Sequence, residues 1–406
     1  MFYAVDWVDR IDFAALRQYR TDRLQQKLRE YGLDALITFR AEYIRYMTGL
    51  RPLWWPISFL SRNASMIAQS EPPVLYVTSG DHARCQATMN WLPPENIRAC
   101  GTMEDPGIAK TMVREEFVPA LQKMGVADGR IGVDASIMSV LFQLKEALPR
   151  AELVDGSDAI RDAASIKHAE EIKCMRLTNR MAEIAHETAN RAIGVGVREC
   201  EVLAEVMHAF YSFGMEVPQC NLIVASGEHT APIHRFASDR QIRRGDLVFM
   251  DLGGCFNGYF SDVTRTVCLG KPNGQQIRIY TACYEAMLTA HEVMKPGITN
   301  VEVNRRVRET IGKHGLTGYH GHTIGVTAFD APLIGELAAT GEKEFELKPG
   351  MTFSVEPTIT VPGVPGGGGV RIEDCVLITE TGNEVLSKAP YCDKLLGKGG
   401  CICCAD

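Results

Sequence analysis

The sequence predicts an α+β protein of two domains, an α/β domain over residues 1–156 and a larger α+β domain over residues 157–406 that ends in a short cysteine-rich tail. Three observations predict it. The 406 residues exceed what one ordinary core holds. The first part alternates apolar, strand-like runs with helix-forming stretches. The second part interleaves two helix pairs with further apolar runs, the pattern of helices packed on one face of a curved antiparallel sheet.

Residues 13–31 are helix formers with Leu24, Leu28 and Tyr31 on one stripe, and Gly32 stops the helix. The runs 35–39, 65–68 and 74–77 predict strands, 109–124 a helix stopped by Gly125, and 130–134 another strand. Between Gly49 and Arg62 a Pro-punctuated loop crowds Trp54, Trp55 and Phe59 with Arg51 and Arg62. Such a loop suits either an aromatic plug between domains or a lid over a substrate. The domain boundary falls near Val154–Asp158. Beyond it, Ser165 is the expected N-cap of a long helix with Glu170 and Glu171 in its first turn and Ile172, Met175, Ala182, Ala185, Ala189 and Ile193 on its apolar stripe. Helices over 198–213, 276–294 and 300–313 follow. No short-period repeat is visible, which excludes solenoids and propellers.

A net charge of −7 with no basic tract argues against a nucleic-acid partner. No apolar run is long enough to span a bilayer, and acids stand where a signal peptide needs a basic start, so no membrane partner and a cytoplasmic location are expected. Thirteen cysteines, an odd number without a framework spacing, read as reduced thiols. The terminal Cys401, Cys403 and Cys404 lack a second ligand cluster and read as a reduced tail.

The stretch from Leu247 to Thr266 carries the chemistry. It reads as a hairpin in which Asp251 and Asp262 each interrupt an apolar strand. A turn around Phe256 and Asn257 sets the two aspartates opposite each other across the ladder. Two carboxylates that close in a buried sheet repel unless a cation sits between them. His322, Glu356 and Glu373 are three further candidate ligands embedded in strand-like or Gly-rich sequence. Four carboxylates beside one neutral imidazole balance two divalent cations. Oxygen-rich ligation with one nitrogen suits manganese first, with iron, cobalt or zinc as alternatives. Such a centre holds its metals about 3.5–4 Å apart around a water made nucleophilic at neutral pH. Gly366–Gly369 is no phosphate cradle, because no helix N-terminus with a lysine follows it.

Several motifs occur in a telling order: Pro232-Ile-His234, Ser238-Asp-Arg240, Asp251-Leu-Gly-Gly254, Ser261-Asp-Val-Thr-Arg-Thr266, Gly321-His322, Ser354-Val-Glu-Pro357 and Arg371-Ile-Glu-Asp374. Together they resemble the series of the pita-bread metallopeptidases, most closely the Xaa-Pro dipeptidase, aminopeptidase P and creatinase branch. The resemblance covers residues 157–390, and the first domain resembles the creatinase-type N-terminal domain. It implies a metal-dependent hydrolase in which a metal-bridged hydroxide attacks the scissile amide. Asp251 would bind one metal, His322 and Glu356 the other, and Asp262 and Glu373 would bridge them. His234 would stabilise the tetrahedral oxyanion, Glu356 would relay a proton to the leaving nitrogen, and Arg371 would orient Glu373.

One position departs from the family pattern. Seven residues after His322, where peptidase members carry a second substrate histidine, stands Phe329, followed by Asp330; both are candidate substrate contacts. The resemblance therefore also admits a non-peptidase enzyme of the same fold acting on a small zwitterionic metabolite, as ectoine hydrolase, creatinase or dimethylsulfoniopropionate lyase do. The lyase branch carries a second aspartate where this chain has Gly253. A metal-free binding module is a third class, and retention of all five ligands argues against it. The branch also implies a homodimer in which Phe59 and Arg62 reach the partner subunit's substrate.

Overall fold

The computed structural model describes residues 10–51, 62–335 and 344–398, so Trp54, Trp55, Phe59 and the terminal cysteines lie outside the described residues. The chain forms two compact units that divide between Ser165 and Ile166.

The first unit comprises α1 (Phe13–Glu30), β1 (Ala35–Thr38), α2 (Ala41–Thr48), β2 (Ala64–Ala68), β3 (Val74–Thr78), α3 (Ser79–Thr88), β4 (Ile97–Cys100), α4 (Pro106–Thr111), α5 (Val118–Lys123), β5 (Arg130–Asp134), α6 (Met138–Ala147), β6 (Glu152–Asp155) and α7 (Ser157–Ser165). Asp12 caps α1 by accepting from the Ala15 N–H, and Gly32 leaves the helix at φ 63°. The strands form one six-stranded sheet in the order β4-β3-β2-β1-β5-β6. The pairs β1–β5, β3–β4 and β5–β6 are parallel, while β2 runs antiparallel to both neighbours. The single helix expected over 109–124 is α4 and α5 joined by a π-helical turn at Met112–Phe117. Pro119 in the first turn of α5 lacks the N–H that an α-helix would bond back to residue 115. The unit boundary lies beyond the sequence boundary at 156/157 because α7 packs on α1, where Tyr31 Oη donates to Asp162 at 2.8 Å.

The second unit comprises α8 (Ala169–Ala192), α9 (Glu199–Ser212), β7 (Val217–Pro218), β8 (Ile223–Ser226), β9 (Leu247–Leu252), β10 (Gly254–Phe256), β11 (Tyr259–Phe260), β12 (Val263–Cys268), α10 (Gly274–Val293), α11 (Asn300–Gly312), β13 (Tyr319–Thr323), β14 (Asp330–Gly335), β15 (Thr352–Thr360), β16 (Gly369–Arg371), β17 (Asp374–Ile378) and β18 (Asn383–Val385). Its strands form the antiparallel groups β11-β10-β7, β12-β9-β8 and β14-β13-β15-β17-β18, with β16 also on β15. Apolar faces of all four helices share one core with these strands, including Ala185, Val206, Met250, Ala286, Val307 and Phe353.

Ser165 does not cap the long helix. It ends α7, and His168 caps α8 by accepting from the Glu170 N–H, while Glu171 accepts from the His168 N–H at 2.8 Å. The hairpin register also differs from expectation. Its turn is Asn257-Gly258, both at positive φ, one residue beyond the expected position. That displacement moves the pairing by two residues, so Asp251 faces Thr264. Asp262 lies in the break between β11 and β12, diagonal to Asp251 rather than opposite it.

Candidate metal centre

The five predicted ligands come from two sheets that meet at one place. Asp251 stands near the end of β9 and Asp262 just before β12, His322 on β13, Glu356 on β15, and Glu373 between β16 and β17. One ligand atom from each of Asp262, His322 and Glu373 lies within 4.8 Å of the others. His322 Nε2 is 3.6 Å from Glu356 Oε1 and 3.9 Å from Asp262 Oδ2. A cavity of about 410 Å³ opens onto them, lined by Asp251, Asp262, His322 and Glu356 together with His234, Phe329 and Arg371.

Four of the five candidate ligands are held from behind. His322 is buried, and its Nδ1 lies 3.0 Å from the Thr323 carbonyl. A proton on Nδ1 makes that bond and leaves the Nε2 lone pair facing the carboxylates. Burial lowers the basicity of His322, which favours the neutral imidazole a metal requires. Glu373 is gripped by Thr264 Oγ1 at 2.6 Å and Ser354 Oγ at 2.7 Å. Arg371, expected to orient Glu373, instead donates to Asp251 Oδ2 at 2.8 Å and lies 3.0 Å from Glu356 Oε2. It reaches these two because β16 runs beside β15, with Arg371 opposite Thr358, two residues beyond Glu356.

The electrostatics test the donor set directly. Burial, then the charges of Glu373, Asp251 and Glu356, push the Asp262 carboxyl well above the ordinary carboxylate range. Burial and the charges of Glu356 and Asp251 do the same to Glu373. One guanidinium, Arg371, does not neutralise four carboxylates. A constellation of oxygen donors that repel one another, with a single imidazole nitrogen presented to them, fits divalent cations.

His234 is exposed on the loop between β8 and β9, and that loop is anchored. The buried Glu199 at the start of α9 provides the anchor. It accepts from Ser226 Oγ at 2.8 Å and from Ser238 Oγ at 2.6 Å, and His229 Nδ1 lies 3.1 Å away. These contacts tie both ends of the His234 loop to one carboxylate. Phe329 is 52% exposed, and its ring lies 4.5 Å from that of His322. Asp330 is buried, its carbonyl accepts from Thr323 Oγ1, and among the described residues it is not part of the cavity lining. Arg62 belongs to the first unit, just before β2. Sequence reasoning missed Gln219, Cys220 and His320, which also line the cavity. A Gln-Cys-Asn run before an apolar strand carries no signal that separates it from an ordinary loop.

A model of metallopeptidase family M24 matches residues 173–380, and a model of the creatinase/prolidase N-terminal domain matches residues 20–163. A Xaa-Pro dipeptidase of Pyrococcus horikoshii is 32% identical over 362 residues, covering 88% of this chain and 93% of that protein. The crystal structure of a prolidase from P. horikoshii superposes with a TM-score of 0.76 at 30% identity, covering 92% of this chain and 99% of the other. A Xaa-Pro dipeptidase structure from Bacillus anthracis also gives 0.76, at 28% identity and 92% and 98% coverage.

Proposed function

The chain belongs to metallopeptidase family M24, and from that premise we propose that it is a two-metal hydrolase cleaving the Xaa-Pro bond of dipeptides or short peptides. The observation that carries the reading is the convergence of Asp251, Asp262, His322 and Glu356 on one cavity, with Glu373 clustered beside Asp262 and His322. The similarity to Xaa-Pro dipeptidases over most of the chain supports the substrate class. The five residues would hold two divalent cations, manganese first. Bound there, such ions supply Lewis-acid polarisation and an acidified water.

The chain's own residues do the rest. Water adds to the carbonyl carbon, and Glu356 takes a proton from it, its Oε2 steadied by Arg371. Glu356 returns that proton to the proline nitrogen as the C–N bond breaks, so the leaving amine departs neutral. His234 donates to the oxygen that gains negative charge. A homodimer in which the partner subunit contributes Phe59 and Arg62, working in the cytoplasm, completes the proposal. Among the described residues no helix is long and apolar enough to cross a membrane.

The non-peptidase reading has one observation in its favour. Phe329 presents a half-exposed aromatic face, which suits an apolar or cationic group, where a hydrogen-bonding histidine is expected. Its lyase form meets a steric obstacle, because a Cβ at Gly253 would lie 2.0 Å from the Ser261 carbonyl oxygen. The backbone leaves no room for an aspartate there. Manganese-loaded protein assayed on Gly-Pro, Ala-Pro, creatine, ectoine derivatives and dimethylsulfoniopropionate is expected to turn over the two dipeptides. Turnover of a small metabolite alone would replace the peptidase reading.

His234→Ala is expected to keep its metals and lose turnover on the order of ten- to a thousandfold, as for removal of one oxyanion donor. Loss of metal in this variant would place His234 among the ligands instead.

A further inference from the structure

Gln219 lies between β7 and β8, and its backbone N–H donates to the Gly253 carbonyl at 3.2 Å, which fixes it beside the end of β9. From there its side-chain Nε2 lies 3.2 Å from Asp251 Oδ1 and 3.1 Å from Asp262 Oδ1. Among the described residues no other side chain donates to both aspartates. The Oε1 of the same amide is buried and has no hydrogen-bond partner among the described residues. The two carboxylates decide which way the amide points. Turned over, Oε1 would face two carboxylates and the orientation would be repulsive.

We infer that Gln219 is a positioning residue of the metal centre, whose amide fixes the rotation and spacing of Asp251 and Asp262 so that both are ready to receive cations. Asp251 and Asp262 repel each other, and neither is steadied by strand pairing with the other, because the register sets Asp251 opposite Thr264. A neutral donor shared between them draws the two Oδ1 atoms together without adding a charge that would compete with a cation. It leaves Asp262 Oδ2 on the side of His322. An arginine or lysine in this place would neutralise the site. A glutamate would add to the repulsion.

The inference rests on the two-metal reading above, and its test separates the two. Chelator-treated wild type, Gln219→Ala and Gln219→Met are titrated with manganese(II) alone, and binding is followed by calorimetry. Circular dichroism of the metal-free proteins verifies folding. Methionine keeps the length and volume of glutamine and removes the donor. Both variants are expected to bind manganese about 10–100-fold more weakly, the usual cost of losing a group that orients a ligand. Unchanged affinity in both would overturn the inference while leaving the metal centre standing. Wild-type affinity in the methionine variant beside weakened binding in the alanine variant would also overturn it, since volume and not the amide would then be at work. A wild type that takes up no manganese overturns the two-metal reading and this inference with it.

Discussion

Asp262→Asn is expected to lose turnover by on the order of a thousandfold or more and to lose metal with it. Asp262 lies 3.9 Å from His322 Nε2 and accepts from Gln219 at 3.1 Å, so it sits between the β9 and β13 sides of the cavity. A neutral amide there keeps the volume but removes a charge that the two proposed cations would require. The effect on the metal-free protein should run the other way. Burial and the charges of Glu373, Asp251 and Glu356 disfavour the Asp262 carboxylate, so the variant without metal should melt no lower than wild type. Inactivity together with unimpaired metal-free stability separates loss of the site from loss of the fold. Kinetics in excess manganese, metal analysis and a melt on one preparation decide it. Full turnover with full metal content would remove Asp262 from the centre.

The largest stability effect is expected behind the site, at Arg265. Its buried guanidinium donates to Asp374 Oδ1 at 2.7 Å and to the carbonyls of Glu373 at 2.7 Å, Ala389 at 2.8 Å and Thr264 at 2.9 Å. It also stacks 4.7 Å from the Tyr391 ring. Asp374 receives Ser387 Oγ at 2.7 Å and Tyr391 Oη at 2.6 Å as well. Burial alone would raise the Asp374 carboxyl, yet Arg265, then His291 and Tyr391, hold it below the usual carboxylate range. Arg265→Ala takes the guanidinium from a buried carboxylate that keeps two hydroxyl donors, and removes a donor from three carbonyls. Its cost is expected at about 3–5 kcal/mol, the range for breaking a buried ion pair from one side. For a unit of this size that lowers the melting temperature by on the order of 10 °C. A loss below about 1 kcal/mol in denaturant titration would mean that the network is not what pins the Glu373 segment.

Much of this was legible in the sequence, for reasons that can be named. Leu24 and Leu28 of the α1 stripe, the strands 35–38 and 74–78 and the paired helices of the second unit follow from apolar periodicity and glycine stops, which act locally, whereas Tyr31 caps α1 and is exposed. The candidate ligands stand out in the sequence because carboxylates inside apolar strands are out of place unless something binds them. What was not legible depends on long-range register. The choice between Phe256-Asn257 and Asn257-Gly258 as the turn is a matter of one residue, yet it decides whether Asp251 faces Asp262 or Thr264. The identity of Arg371 as a holder of Asp251 and Glu356, with Glu373 left to Thr264 and Ser354, depends on the β15–β16 pairing. Gln219 depends on where a short loop meets the end of β9. The cap of α8 was misread because Ser165, a good capping residue, lies three positions before His168, which does the capping.

The most direct test of the account is the number of metal ions the wild-type chain holds. Protein stripped by chelator, reloaded with manganese and freed of excess by gel filtration is expected to contain two ions per chain, and Asp262→Asn prepared in parallel fewer than one. Wild type saturating at one ion or none would contradict the two-metal centre at Asp251, Asp262, His322, Glu356 and Glu373.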